Sequence, residues 1–260
     1  MTLEVRPRAS VLANGSFEDT EWQVRCDLAA LYRLADRFGM SDLIYNHISA
    51  RIPGTDDFLI NPFGHLFGRM TASALVRIDP EGRIVDPAQA ETVRVNAAGF
   101  NIHSAVHMKR ADVACVIHSH TTAGMAVSAQ EQGLLPLTQH AMMFHGHIAF
   151  HEYESFATRE EERERIAADM GELDVMILRN HGVLVAGRSI GEAFHTAYHL
   201  ERACQAQLLA TAGGAALHFP QPGVPEMTAE RMRAIPLPHY DFFFRSCLAL
   251  LDDDNDDWRC

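Results

Sequence analysis

The chain has 260 residues, 47% of them hydrophobic, enough for a substantial core in one large domain or two small ones, while its apolar runs fall far short of the ~20 residues of a membrane span. A formal net charge of −12 argues against nucleic acid and against an anionic membrane surface as partners, because phosphate is bound by neutralising Lys and Arg. Five dispersed cysteines without a C-x-x-C pair, and an N-terminus with no apolar signal region, point to reduced thiols in a cytoplasmic protein.

Residues 1–19 read as an N-terminal arm. In "DTEWQVRCDLAALYRLADRFG", Trp22, Val24, Leu28, Leu31, Leu34 and Phe38 recur at helical spacing, and Gly39 suits the stop. "LIYNHISARIPG" and "DFLINPFGHLFGRM" read as short strands broken by Pro53-Gly54, Pro62 and Gly64, and "ALVRIDPEGRIVD" as a hairpin about Pro80-Glu81-Gly82. "AAGFNIHSAVHMKRAD" has a helical period through Phe100, His103, Val106 and His107, and leads into the apolar strand "DVACVIHSH". "TTAGMAVSAQEQG" is expected to be a helix, and "ESFATREEERERIAADMG" a charged helix with a solvated face. "DVMILRNHGVLVAG" reads as two strands about a tight Asn180-His181-Gly182 turn. The last strong helix starts at Ser189, with Glu192 in a capping-box position, and keeps a stripe of Ile190, Phe194, Ala197, Leu200, Cys204 and Leu208 up to Gly213-Gly214. Residues 215–260 form a C-terminal extension, first proline-rich, then apolar in "YDFFFRSCLALL", then acidic in "LDDDNDDWRC". It is left open as disordered, packed within the subunit, or at a subunit interface. Helices and strands alternate, which indicates α/β layers around one sheet.

Fifteen histidines are the unusual count, and His140, His145, His147 and His151 crowd into one stretch. In "DVACVIHSH" the period of two puts Val116, His118 and His120 on one face, so two imidazoles project side by side from the strand's end. They are either satisfied polar residues or a pair of metal ligands. His181 is the natural third candidate, in a turn beside Gly182 where backbone can pass close to a ligand.

The combination of "YNHIS", "NAAGFNIHSAVHMKRADVACVIHSHT", "GLLPL", "FHEYES", "ILRNHGVLVAG" and "EAFHTAYHLERACQAQLLATAGG" resembles the class II aldolase/adducin family over roughly residues 20–214. The resemblance implies a three-layer αβα fold with a central, mainly antiparallel sheet. It also implies a homotetramer with active sites at subunit interfaces. One divalent metal per subunit is expected on His118, His120 and His181, with zinc first and manganese or iron as the other choices.

Against that pattern, the position nineteen before His118, where the sugar-phosphate aldolases carry a ligating and basic glutamate, is Gly99. The two preceding hydroxyl residues that hold the substrate phosphate fall on Ala97 and Ala98. Gly64 of the phosphate loop is kept, beside Phe63 where a hydroxyl residue is usual. An unphosphorylated small molecule is therefore the expected substrate. The pattern is closer to the head of adducin, a cytoskeletal protein not known for catalysis. His140 is a candidate base for the departing hydroxyl, or else a surface or interface histidine. His103 faces the site from its helix or packs on the sheet. Tyr153, with His151, is a candidate to close the pocket, and Asn46 either touches ligand oxygens or caps a turn. Three readings follow: a metal-dependent lyase of aldolase or decarboxylase type, a non-catalytic adducin-like binding protein, and a non-haem iron oxygenase on the same fold.

Overall fold

The computed structural model describes residues 19–251 and 256–260; the expected N-terminal arm, up to residue 18, lies outside them. Helix α1 (Asp19–Arg37) buries Leu28, Leu31 and Leu34 completely, each worth about 1.5–3 kcal/mol of apolar burial. It ends where Gly39 takes a left-handed φ of 68°, as helix C-termini favour. Strands β1 (His47–Arg51), β2 (Phe58–Ile60) and β3 (Val76–Ile78) form an antiparallel meander.

The hairpin expected about Pro80-Glu81-Gly82 is only half present. Its return arm makes one bridge, Ile84 to Ile78. Asp86 then caps helix α2 (Pro87–Thr92), its side chain accepting from the Ala88 N–H. Pro87 has no N–H to give a ladder, so the chain turns helical there.

Helix α3 (Ala97–His107) is capped by Asn96 and leads into β4 (Cys115–Ser119). There follow α4 (Thr122–Ser128), the single turn α5 (Gln139–Met142), β5 (Ala149–His151) and α6 (Glu160–Met170). The solvated reading of α6 holds for one face only, because Ile166, Met170 and Glu162 are buried. Strands β6 (Val175–Leu178) and β7 (Gly182–Gly187) precede the long helix α7 (Ile190–Thr211). The Ser189 hydroxyl accepts from the Glu192 N–H, while the Glu192 carboxylate accepts from the Arg188 N–H one residue outside the usual capping box.

The seven strands form one sheet in the order β3-β2-β1-β4-β7-β6-β5, antiparallel throughout except for the parallel β5–β6 pair. Cys115 and Ile117 join α1 and α7 in the main core on one face. Val116 joins residues of α3 and α6 in a second core on the other. The result is an αβα sandwich.

Helices α8 (Val224–Arg233) and α9 (Leu237–Leu248) follow. α9 lies along α7 with Tyr240 and Phe244 buried. Trp258 is buried in the main core, its carbonyl accepting from the Ala72 N–H at 2.9 Å. The described part of the C-terminal extension thus packs on its own chain. No helix among the described residues is long and apolar enough to cross a membrane.

Candidate metal centre

Antiparallel pairing brings the start of β1, the end of β4 and the start of β7 to the same end of the sheet. In that register His47 lies opposite His118, and Ser119 lies opposite Val183. His120 follows the end of β4, where Thr121 caps α4: its hydroxyl accepts from the Gly124 N–H and donates to the Glu201 carboxylate. His181 sits in the β6–β7 turn, whose Asn180 takes a φ of 55°, a conformation asparagine tolerates. Gly182 must be small there, because a Cβ would run into the Ser119 carbonyl and approach the His120 ring to 3.2 Å.

One ring nitrogen from each of His118, His120 and His181 lies within 4.8 Å of the others. The Nε2 atoms of His118 and His120 are 2.8 Å apart, and those of His120 and His181 2.9 Å. His118 Nδ1 lies 3.0 Å from the Val183 carbonyl, which can only accept, so the proton belongs on Nδ1 and Nε2 presents a lone pair. His120 Nδ1 faces the Asp42 carboxylate at 3.4 Å, with the same consequence. The His118–His120 contact therefore sets two lone pairs together with no proton between them. A cation turns that repulsion into coordination, and imidazole donors suit zinc or iron. Burial, then the neighbouring imidazoles, holds His118 well below the ordinary histidine pKa and His181 at about 4. Burial lowers His120 as well, against the opposing pull of Asp42. Near neutrality all three rings are neutral, the form that ligates.

Behind the triad a buried column of imidazoles runs between β1 and α3. His47 stacks on His118 with ring centroids 4.9 Å apart. His47 Nδ1 lies 2.8 Å from His103 Nε2, and His103 Nδ1 lies 2.5 Å from the Ser49 hydroxyl. That hydroxyl lies 2.8 Å from His107 Nε2. Burial lowers all three pKa values, that of His107 to about 3. His103 thus reaches the triad only through His47. Gly99 faces the His47 ring, and a Cβ at that position would lie 2.7 Å from it.

The other candidates are dispersed. Tyr153 is half-exposed, with its ring 6.0 Å from that of His181. His140 is exposed on α5 and stacks on His199 of α7, so within one chain it does not meet the triad. Asn46 is fully buried and donates to the Met40 carbonyl, tying down the loop that carries Asp42; its Oδ1 has no partner. Gly64 occupies the turn after Pro62 with a φ of 91° and makes no contact with the triad. Sequence reasoning missed His47, Ser49 and Asp42. The alternation in "NHIS" sets His47 and Ser49 on one face, but which strand they oppose depends on a register that the motif does not carry.

A family model described as the class II aldolase and adducin N-terminal domain matches residues 26–208. The chain is 46% identical over 243 residues to a Pseudomonas aeruginosa protein named for class 2 aldolases, covering 92% of this chain and 93% of that one. It is 45% identical over 203 residues to alpha-adducin of Rattus norvegicus, over 76% of this chain and 27% of the relative. Among solved structures, an aldolase II superfamily protein from Pseudomonas syringae matches with a TM-score of 0.89 at 44% identity, covering 94% of this chain and 98% of that one. An L-fuculose 1-phosphate aldolase from Glaciozyma antarctica matches with a TM-score of 0.78 at 29% identity, covering 95% and 97%.

Proposed function

Because the chain belongs to the class II aldolase and adducin N-terminal domain family, we propose that it is a divalent-metal-dependent carbon–carbon lyase acting on a small, unphosphorylated, oxygenated substrate. The observation that carries this reading is the triad itself: His118 and His120 point lone pairs at one another with no proton to share. The three histidines would hold the metal, and zinc is the first choice for three neutral imidazoles. Such an ion supplies a Lewis acid for a carbonyl or carboxylate oxygen. The chain's own residues hold the ligands: the Val183 carbonyl and Asp42 accept from the Nδ1–H groups, and His47 backs the His118 ring. Tyr153 stands half-exposed beside His181, available to a bound substrate.

The residues at the positions where the sugar-phosphate aldolases hold phosphate support an unphosphorylated substrate. Ala97, Ala98 and Phe63 offer no side-chain hydrogen bond, and a glutamate at position 99 would collide with His47. We read the working form as a cytoplasmic homotetramer. Exposed Leu43, Tyr45, Phe63 and Leu66 around the Asp42 loop support a covered surface there. Light scattering that returns a monomer at micromolar concentration would remove that reading.

The adducin likeness favours a second reading, a binding protein whose triad holds metal for structure alone. Retro-aldol turnover of a panel of hydroxy-carbonyl compounds by the zinc-loaded protein separates the two. Turnover that disappears in His118→Ala and His181→Ala supports the lyase, and metal binding without turnover across the panel favours the binding protein.

A further inference from the structure

Beside His181 lies a small pocket between β5, α6 and α3 whose polar lining the triad does not use. Two of its buried atoms have no partner: His151 Nε2 and Glu162 Oε2. Their residues are only 6% and 3% exposed. Leaving such atoms unpaired is costly to the fold, so their persistence asks for an occupant. The His151 Nδ1 atom lies 2.7 Å from the Asp169 carboxylate, which accepts from its N–H and leaves Nε2 of the neutral ring as an acceptor. The Glu162 carboxylate is a second acceptor. Both unpaired atoms are acceptors, which calls for an O–H donor. The space measures about 10 Å³, room for one oxygen and too little for a phosphate. Tyr153 and His181 line the same pocket, so it opens beside the candidate metal.

We propose that this pocket is a hydroxyl-binding subsite, in which one O–H group of the metal-bound substrate donates to His151 Nε2 or Glu162 Oε2. It directs the centre to substrates that carry a hydroxyl beside the metal-bound group. The inference rests on the metal-lyase reading above and adds the substrate class to it.

The test compares two chelating probes on the zinc-loaded protein by calorimetry: propionohydroxamate and its 2,3-dihydroxy counterpart. The dihydroxy probe is expected to bind about tenfold tighter, because a site that pairs with a hydroxyl rejects the analogue lacking it. The preference is expected to fall to within about twofold in Glu162→Leu. Asp169→Asn, an isosteric change at a half-exposed carboxylate, is expected to weaken it without a folding defect. Glu162→Leu is also expected to raise Tm by about 2–4 °C, since it removes an unpaired buried carboxylate. Tight, equal binding of both probes to the unaltered protein means that the pocket holds only a water, and overturns the subsite alone. A preference that survives both substitutions overturns it too. Failure of both probes to bind the zinc-loaded protein overturns the metal reading, and the subsite with it.

Discussion

Two groups of three histidines lie back to back in this molecule, and their wiring is opposite. In the triad of His118, His120 and His181 the Nε2 atoms converge, and the outer nitrogens of His118 and His120 face oxygen acceptors. In the column of His47, His103 and His107 the rings are joined head to tail, with Ser49 as a link, and the buried His107 Nδ1 lacks a partner. Both groups are buried enough to stay neutral. Convergence leaves lone pairs that need a cation, whereas a chain pairs each nitrogen with the next and needs none. The same residue type therefore makes a ligand set in one place and a polar core in the other.

The largest expected effect breaks the first group. His118→Ala and His181→Ala should each reduce bound zinc from about one per subunit to under about a tenth, measured by elemental analysis after purification without tag or chelator. His103→Ala should leave the stoichiometry near one. Loss of zinc in a folded His103→Ala protein would mean that the column is part of the ligand set, and the contrast would collapse.

Acid should break the second group. His107 has a folded pKa of about 3 against an unfolded value near 6.5. Between those values the unfolded state binds the proton and the folded state does not, so stability is fully present above pH 6.5 and falls as pH drops below it. The slope from this one group is about 1.4 kcal/mol per pH unit. His47 and His103, and in the metal-free protein His118, His181 and His195 as well, are lowered by burial and act in the same direction. Urea titrations of the metal-free protein should give a flat stability from pH 8 to 7 and a steep fall from 6.5 towards 4.5. A flat profile down to pH 5 would show that the column is already protonated. At neutral pH, His103→Ala should cost about 3 kcal/mol, from a cavity plus unpaired His47 and Ser49. A cost under about 1 kcal/mol would show that water replaces the ring freely.

Much of this contrast was legible in the chain, and what escaped was register. The helical stripes of α1 and α7 and the period-two run ending in H-x-H identify elements because each is a local pattern. His118 and His120 share a face by that period, and a tight turn carries His181. His47 was hidden because it reaches His118 only through the β1–β4 pairing, 71 residues apart in the chain. His140 shows the converse: its residue type suggested chemistry, and within one chain α5 sets it against His199 on α7, away from the triad. Glu162 looked like one more solvated charge on α6 until the packing of that helix buried it.

Gly99 sharpens the comparison with the smallest change, because it touches the point where the two groups meet. An added Cβ lies 2.7 Å from the His47 ring, closer than real contacts allow, and that ring is held between His103 and the stacked His118. Gly99→Ala should therefore cost about 1–3 kcal/mol by overpacking, with the strain passed through His47 to His118. Zinc affinity should weaken by less than about tenfold, below the ~10–100-fold typical of removing a group behind a ligand, because His47 is displaced and not lost. Removing the ring removes the clash, so Gly99→Ala combined with His47→Ala should be less unstable than the sum of the single variants by about 1 kcal/mol or more. Additivity within about 0.5 kcal/mol would mean that His47 does not fill the space in front of Gly99. The column would then stop short of the triad, and His118 would be held by Val183 alone.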